Sequence, residues 1–255
     1  MWVLPVARIG VMAPRSPASR NEIARLRAAI VAGGRRLGAR GLISASEGNI
    51  SARLADGSLL IMPSGRRKDE LEPDDILGVP FDPDDPALAG SAPAGATGPR
   101  PSSDIAIHRA IYAARADVRA VVHAHLPAAM ALTLAGEVPD PAALPETALL
   151  LPRLPFVPFA TPGSAELAAR VVKAFASGEA PLPGAVLLER HGAVAVGETV
   201  EQAVNRLELV EVLCRTWRDA LLIRGAVASA GARAILRPSS PSPGTPARGR
   251  TQRQP

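Results

Sequence analysis

Aromatic side chains are scarce in this chain, at 3% of 255 residues. Stacking on aromatic rings is therefore excluded as a main mode of binding, and the core has to be built from Ala, Leu, Val and Ile. Cysteine occurs once, at Cys214. No internal disulfide can form, which suits a reducing compartment, and the helical apolar pattern around Cys214 makes core packing its expected role. No apolar run approaches the roughly 20 residues that span a bilayer. The opening stretch MWVLPVARIGVMAPR lacks a basic leading region and is interrupted by Arg8, which argues against a signal peptide. The expectation is a cytoplasmic protein with no membrane partner.

Acidic residues are missing from both ends. Residues 1–20 carry Arg8, Arg15 and Arg20, and residues 237–255 carry Arg237, Arg248, Arg250 and Arg253, with no Asp or Glu in either stretch. The ends therefore hold more than the whole formal charge of +5, and the body between them carries −2. A near-neutral body argues against a nucleic-acid groove despite a pI near 10.5. The run RPSSPSPGTPARGRTQRQP has no hydrophobic periodicity and reads as disordered. With 47% apolar and 21% charged residues the rest is globular. The expected organisation is a flexible segment over 1–18, one domain over 19–236 and a basic tail over 237–255.

From residue 19 the elements alternate. Ser19 and Glu22 form a capping-box pattern, and Ile23, Leu26, Ile30 and Leu37 recur at helical spacing, predicting a helix that ends near Gly38 or Gly41. NISARL, the Asp56-Gly57 turn and SLLIMP predict a β-hairpin. Residues 82–101 read as a loop, after which Ser102 or Ser103 should cap a helix through about Ala116. A strand over 119–125, helices near 127–135 and from Thr161, and two strands flanking His191-Gly192 follow. A last helix from about Thr199 to Leu222 carries an apolar stripe that includes Leu207, Val210 and Cys214. The mixture predicts an α/β fold with a central, mainly antiparallel sheet covered by helices.

Only four histidines are present, and two of them form the H-x-H pair His123 and His125 in RAVVHAHL. On a strand, positions i and i+2 face the same way, with Cβ atoms roughly 7 Å apart. Two imidazoles so placed can converge on one divalent cation, zinc first among candidates. The alternative is a pair of unremarkable surface histidines. The others are His191, in LLERHGAVAV, and His108, which lies within a helical pattern and is read as structural. A third histidine from a distant strand end would leave an open coordination position, as a catalytic metal requires.

Four segments occur in order: EGNISAR at 47–53, MPSG at 62–65, PSSD at 101–104, and the histidines. Together with ATPGSAEL and RHGAVAVGETVEQAV, they resemble the class II aldolase/adducin family over residues from about 20 to 225. The resemblance implies a three-layer fold and a divalent metal, usually zinc, with manganese or cobalt as alternatives. It assigns the metal to His123, His125 and His191. Acid/base work falls to Asp104, where the family's aldolases carry glutamate and its epimerases aspartate. The helix-terminal position of Asp104 offers a purely structural role as well. Anion binding falls to Asn49, Ser64, Gly65, Ser102 and Ser103, with Arg66, Arg67 and Lys68 beside them.

The implied activity is that of a lyase making or breaking a carbon–carbon bond in a ketose phosphate or related hydroxy-carbonyl compound through a metal-stabilised enediolate. A pentulose-phosphate 4-epimerase, a dehydratase or a decarboxylase are the alternatives within the family. A non-catalytic, adducin-like interaction module is the alternative outside enzymes. The family's aldolases use a tyrosine to protonate the aldehyde oxygen, whereas the only tyrosine here, Tyr112, lies in a predicted helix and matches no such motif. A homotetramer is implied by the resemblance alone.

Overall fold

A computed structural model of the protein describes residues 17–81, 98–176 and 181–235. The basic tail, most of the 82–101 loop and nearly all of the 1–18 segment lie outside the described residues. The chain divides into two units, Met1–Arg218 and Asp219–Pro255.

The first unit holds helix α1 (Arg20–Ala39), strands β1 (Asn49–Arg53), β2 (Leu59–Ile61) and β3 (Leu77–Val79), helix α2 (Ile105–Ala114) and strand β4 (Ala120–Ala124). Helices α3 (Pro127–Leu134) and α4 (Pro145–Leu150), strand β5 (Phe156–Val157), helix α5 (Ala165–Ala176), and strands β6 (Ala185–Leu188) and β7 (Gly192–Gly197) follow. Helix α6 (Val200–Ile235) begins there and supplies the described residues of the second unit. In that second unit Leu222, Ile223 and Val227 are exposed. Among the described residues no helix is long and apolar enough to cross a membrane.

The seven strands form one sheet in the order β3-β2-β1-β4-β7-β6-β5. Every neighbouring pair is antiparallel except β5 with β6. One face carries Val121, Val186, Leu188, Val194 and Val196, packed against Ile107 and Ile111 of α2 and Leu167, Val171 and Phe175 of α5. On the other face Ile50 meets α1 at Gly33, where Val204 of α6 also closes in. Helices thus cover both faces of a mainly antiparallel sheet, as the mixed pattern predicts. Each of these fully buried apolar side chains contributes roughly 1.5–3 kcal/mol relative to exposure.

Several boundaries differ from the sequence reading. Ser19 caps α1 by accepting from Glu22 N–H at 3.1 Å. The Glu22 carboxylate, however, accepts from Ala55 N–H, tying the helix start to the hairpin instead of closing the box. Neither Ser102 nor Ser103 caps α2, which starts after Asp104 and ends at Ala114. Strands β3 and β5, of three and two residues, were absent from the reading because they are too short to show alternation. Helix α6 continues to Ile235, well past Leu222.

Candidate metal centre

His123 lies in β4, the middle strand, opposite Asn49 of β1 on one side and Val194 of β7 on the other. Residues directly opposite share a face, so His123 and Asn49 point to the side covered by α2. His125 sits just beyond the end of β4. The chain then turns into α3, whose N-terminus has no side-chain cap of its own. Buried Glu211 of α6 takes that place, accepting from Ala128 and Ala129 N–H at 3.2 and 3.4 Å. A carboxylate at a helix N-terminus is favoured by the dipole, and this one fixes the path of the chain leaving His125.

His191 arrives from the turn between β6 and β7. Arg190, at φ 56°, and Gly192, at φ 81°, are both left-handed. A Cβ on Gly192 would run into the Ala124 carbonyl oxygen and the backbone of His125 and Leu126. Only glycine permits this approach, and it seats the turn against the end of β4. The ring centroids of His123 and His125 are 5.1 Å apart, and each lies 4.7 Å from that of His191. One ring nitrogen from each falls within 4.8 Å of the others.

The protonation states follow from the partners. His123 Nδ1 donates to the Ala193 carbonyl at 3.0 Å, which leaves the lone pair on Nε2. Among the described residues, His123 Nε2 and His191 Nδ1 are buried with no hydrogen-bond partner. Burial is the main cause that lowers the pKa of both, to about 3 for His191. Two orphaned nitrogens on neutral imidazoles beside a third ring fit a divalent cation, and the all-nitrogen donor set suits zinc. His125 is half-buried, with Glu47 Oε1 3.6 Å from its Nδ1.

Asp104 sits at the start of α2 beneath this cluster. Its Oδ2 is 3.8 Å from His123 Nε2 and accepts from Asn49 Nδ2 at 2.9 Å. Burial opposes its charge, but the His123 imidazole and the Asn49 amide outweigh burial and hold the carboxyl below the usual carboxylate range. Asp104 is therefore ionised at neutral pH. Behind it lies a polar chain: Asn49 Oδ1 to His108 Nε2 at 2.5 Å, His108 Nδ1 to Ser51 Oγ at 2.6 Å, and Ser51 Oγ to Tyr112 Oη at 2.9 Å. Burial keeps His108 neutral, with its pKa lowered to about 3.

The segments bearing Ser64, Gly65, Ser102 and Ser103 come together through a β-bridge between Pro63 and Pro101. Ser64 N–H donates to the Arg100 carbonyl and Ser102 N–H to that of Met62. Lys68 is buried and clamps this loop from beneath, donating to the carbonyls of Pro63 and Arg66 at 2.6 and 2.9 Å. Arg66 pairs with Asp75, and Arg67 with Asp69 and Glu70. Asn49, grouped with the serines in the sequence reading, has its side-chain amide engaged by Asp104 and His108. Glu47, Ser51 and His108 had no functional role in that reading. The signal for the last two was available: Ser51 is two residues from Asn49 on a strand, and His108 and Tyr112 follow Asp104 at four-residue intervals on a helix.

Comparison with known proteins adds a family and a set of relatives. Residues 28–218 match the family model described as Class II Aldolase and Adducin N-terminal domain. A 3-oxo-tetronate 4-phosphate decarboxylase of Cupriavidus necator is 37% identical over 202 residues, covering 78% of this chain and 82% of the relative. A methylthioribulose-1-phosphate dehydratase of Acidiphilium cryptum is 36% identical, covering 77% and 92%. Among solved structures, the L-fuculose-1-phosphate aldolase of Thermus thermophilus is similar with a TM-score of 0.65 and 33% identity, covering 80% of this chain and 97% of that one.

Proposed function

The chain belongs to the class II aldolase/adducin family, and from that premise we propose that it is a metal-dependent lyase acting on a small phosphorylated hydroxy-carbonyl compound. It breaks a carbon–carbon bond beside a carbonyl, and loss of CO2 from a 3-oxo sugar acid phosphate is the reaction that fits this chain best. The observation that carries the metal-dependent reading is the convergence of three histidines on one point beside ionised Asp104.

His123, His125 and His191 would hold the cation, most simply zinc, whose Lewis acidity favours negative charge developing on substrate oxygen. Loss of CO2 from a 3-oxo acid leaves the bonding electron pair on C2, delocalised onto the C3 oxygen, and a proton must then reach C2. Asp104 is the group that takes a proton from a substrate hydroxyl or water and returns it to carbon. Ser64, Gly65, Ser102 and Ser103 would hold the phosphate through hydroxyl and backbone donors. Lys68 holds their loop in shape.

The placement of the only tyrosine favours decarboxylation over the aldol cleavage expected first from the resemblance. An aldol cleavage needs a group that takes the proton from the hydroxyl that becomes the aldehyde oxygen, whereas an ionised carboxylate loses CO2 with no such transfer. Tyr112 is 1% exposed and hydrogen-bonded to Ser51. It is the only tyrosine of the chain, so a second copy could not lend one to a neighbouring site. The decarboxylase relative supports the same choice. Dehydration is the second reading, favoured by the relative that bears that name and is covered over 92% of its length. A homotetramer is the assembly the family resemblance implies, and it would give exposed Leu134 and Leu149 a surface to pack against.

The test incubates zinc-loaded protein separately with 3-oxo-tetronate 4-phosphate, 5-methylthioribulose 1-phosphate and L-fuculose 1-phosphate. Release of CO2 from the first at the highest kcat/KM supports the proposal. Faster dehydration or aldol cleavage replaces it with that reaction, and no turnover of any of the three together with no metal uptake returns the chain to an interaction module.

A further inference from the structure

The polar chain behind Asp104 has only one consistent arrangement of protons. Asn49 donates from Nδ2 to Asp104 Oδ2, which turns its carbonyl oxygen toward His108. That oxygen in turn can only accept, so the proton of neutral His108 sits on Nε2, leaving Nδ1 bare. Ser51 must then give its hydroxyl proton to His108 Nδ1, and its oxygen is left to accept from Tyr112 O–H. Every link donates in a fixed sense, and the file ends on Asp104. Asn49, Ser51, His108 and Tyr112 are 3%, 0%, 0% and 1% exposed, so water does not compete for any of these bonds. Among the described residues Asp104 Oδ1 accepts no hydrogen bond from a protein group, and Oδ2 is the only carboxylate oxygen the file restrains.

We infer that Asn49, His108 and Ser51 are positioning residues that hold the Asp104 carboxylate in one orientation beside the histidine cluster, through a file of hydrogen bonds beginning at Tyr112. The inference rests on the reading of Asp104 as the proton-transfer group, and it gives Asn49 a role distinct from phosphate binding. A neutral imidazole serves here because it accepts at one nitrogen and donates at the other, passing orientation from the helix α2 side through to the carboxylate without placing a charge next to the metal ligands. A carboxylate free to rotate would spend part of its time misdirected, and displacements of about 1 Å cost up to about 100-fold in rate.

The test has a spectroscopic arm and a kinetic arm, both on the zinc-loaded full chain. Nitrogen-15 spectra of histidine-labelled protein, with His108 identified by its loss in His108→Gln, should show Nε2 protonated and Nδ1 bare throughout the range from about pH 6 to 9. An Nδ1–H tautomer or an imidazolium overturns the file. In the kinetic arm, with 3-oxo-tetronate 4-phosphate as probe, His108→Leu should lower kcat by roughly 10- to 100-fold with KM within about twofold. His108→Gln, whose side-chain NH2 can donate where Nε2–H does, should recover most of that loss. Equal losses in both variants, or a loss confined to KM, overturns the positioning role. Wild-type protein that shows the Nε2–H tautomer yet turns over no sugar phosphate supports the file and sinks the functional reading, so the two failures are separable.

Discussion

Replacing Gly192 with alanine should damage both stability and metal binding, and the size of the effect can be worked from its surroundings. The residue has φ 81°, and a methyl there would meet three backbone groups, at Ala124, His125 and Leu126. Gly41 provides the control, because its φ of 65° is equally left-handed and nothing lies within 4 Å of its Cβ position. A left-handed alanine costs about 1–2 kcal/mol. Forcing a methyl against backbone that cannot rotate away adds about 1–3 kcal/mol. Gly41→Ala should therefore lose about 1–2 kcal/mol and Gly192→Ala about 2–5 kcal/mol. At about 2–4 °C per kcal/mol for a domain of this size, the second variant should melt about 4–20 °C lower. Because the displaced atoms carry His125 and adjoin His191, zinc affinity should also fall by at least about tenfold. Thermal melts and competition with a zinc-binding dye read both quantities. Equal melting shifts for the two variants, with zinc affinity unchanged, would refute the argument from close approach.

Asp104→Asn should reduce kcat by about 100-fold or more while leaving metal content unchanged, since the proton-transfer group is lost and the ligands are kept; steady-state kinetics and elemental analysis check it. Lys68→Met removes the donor for two carbonyls in a buried setting, so it should cost about 1–3 kcal/mol and raise KM for a phosphorylated substrate more than it lowers kcat. Denaturant melts and kinetics separate the two effects. The Cys214 thiol is pushed up to about 12 by burial and then by the charge of Glu211. The folded chain keeps this proton where the unfolded chain loses it, so the contribution is present below about pH 9 and drains away as pH rises toward 12. Iodoacetamide at pH 8 should accordingly leave Cys214 unlabelled in the native protein and label it on unfolding, which mass spectrometry reads directly.

Features with a period are legible in the sequence. His123 and His125 declare themselves through the two-residue repeat of a strand, even though β4 ends one residue before His125. The apolar stripes of α1 and α6 likewise follow the helical period. His191 is a different case: no local pattern links it to the pair 68 and 66 residues earlier, and only the resemblance and the fold bring it near. The hydrogen-bonded file was hidden for a related reason. Ser51 and His108 are ordinary residues of a strand and a helix, and their meaning arises only when α2 lies across β1 with the two polar rows facing. Asn49 shows the limit of carrying a role over by motif, since its side chain is already committed to two neighbours. The start of α2 and the strands β3 and β5 escaped because a helix beginning just after Asp104 and pairing of two or three residues are decided by tertiary contacts and leave no pattern in the chain.

The central claim is that His123, His125 and His191 hold one catalytic cation. Elemental analysis of the purified protein after zinc loading and gel filtration, beside a His123→Ala, His125→Ala double variant, tests it most directly. The predicted result is about one zinc per wild-type chain and almost none in the folded double variant. A wild-type chain without bound metal, or a double variant that retains it, would contradict the claim.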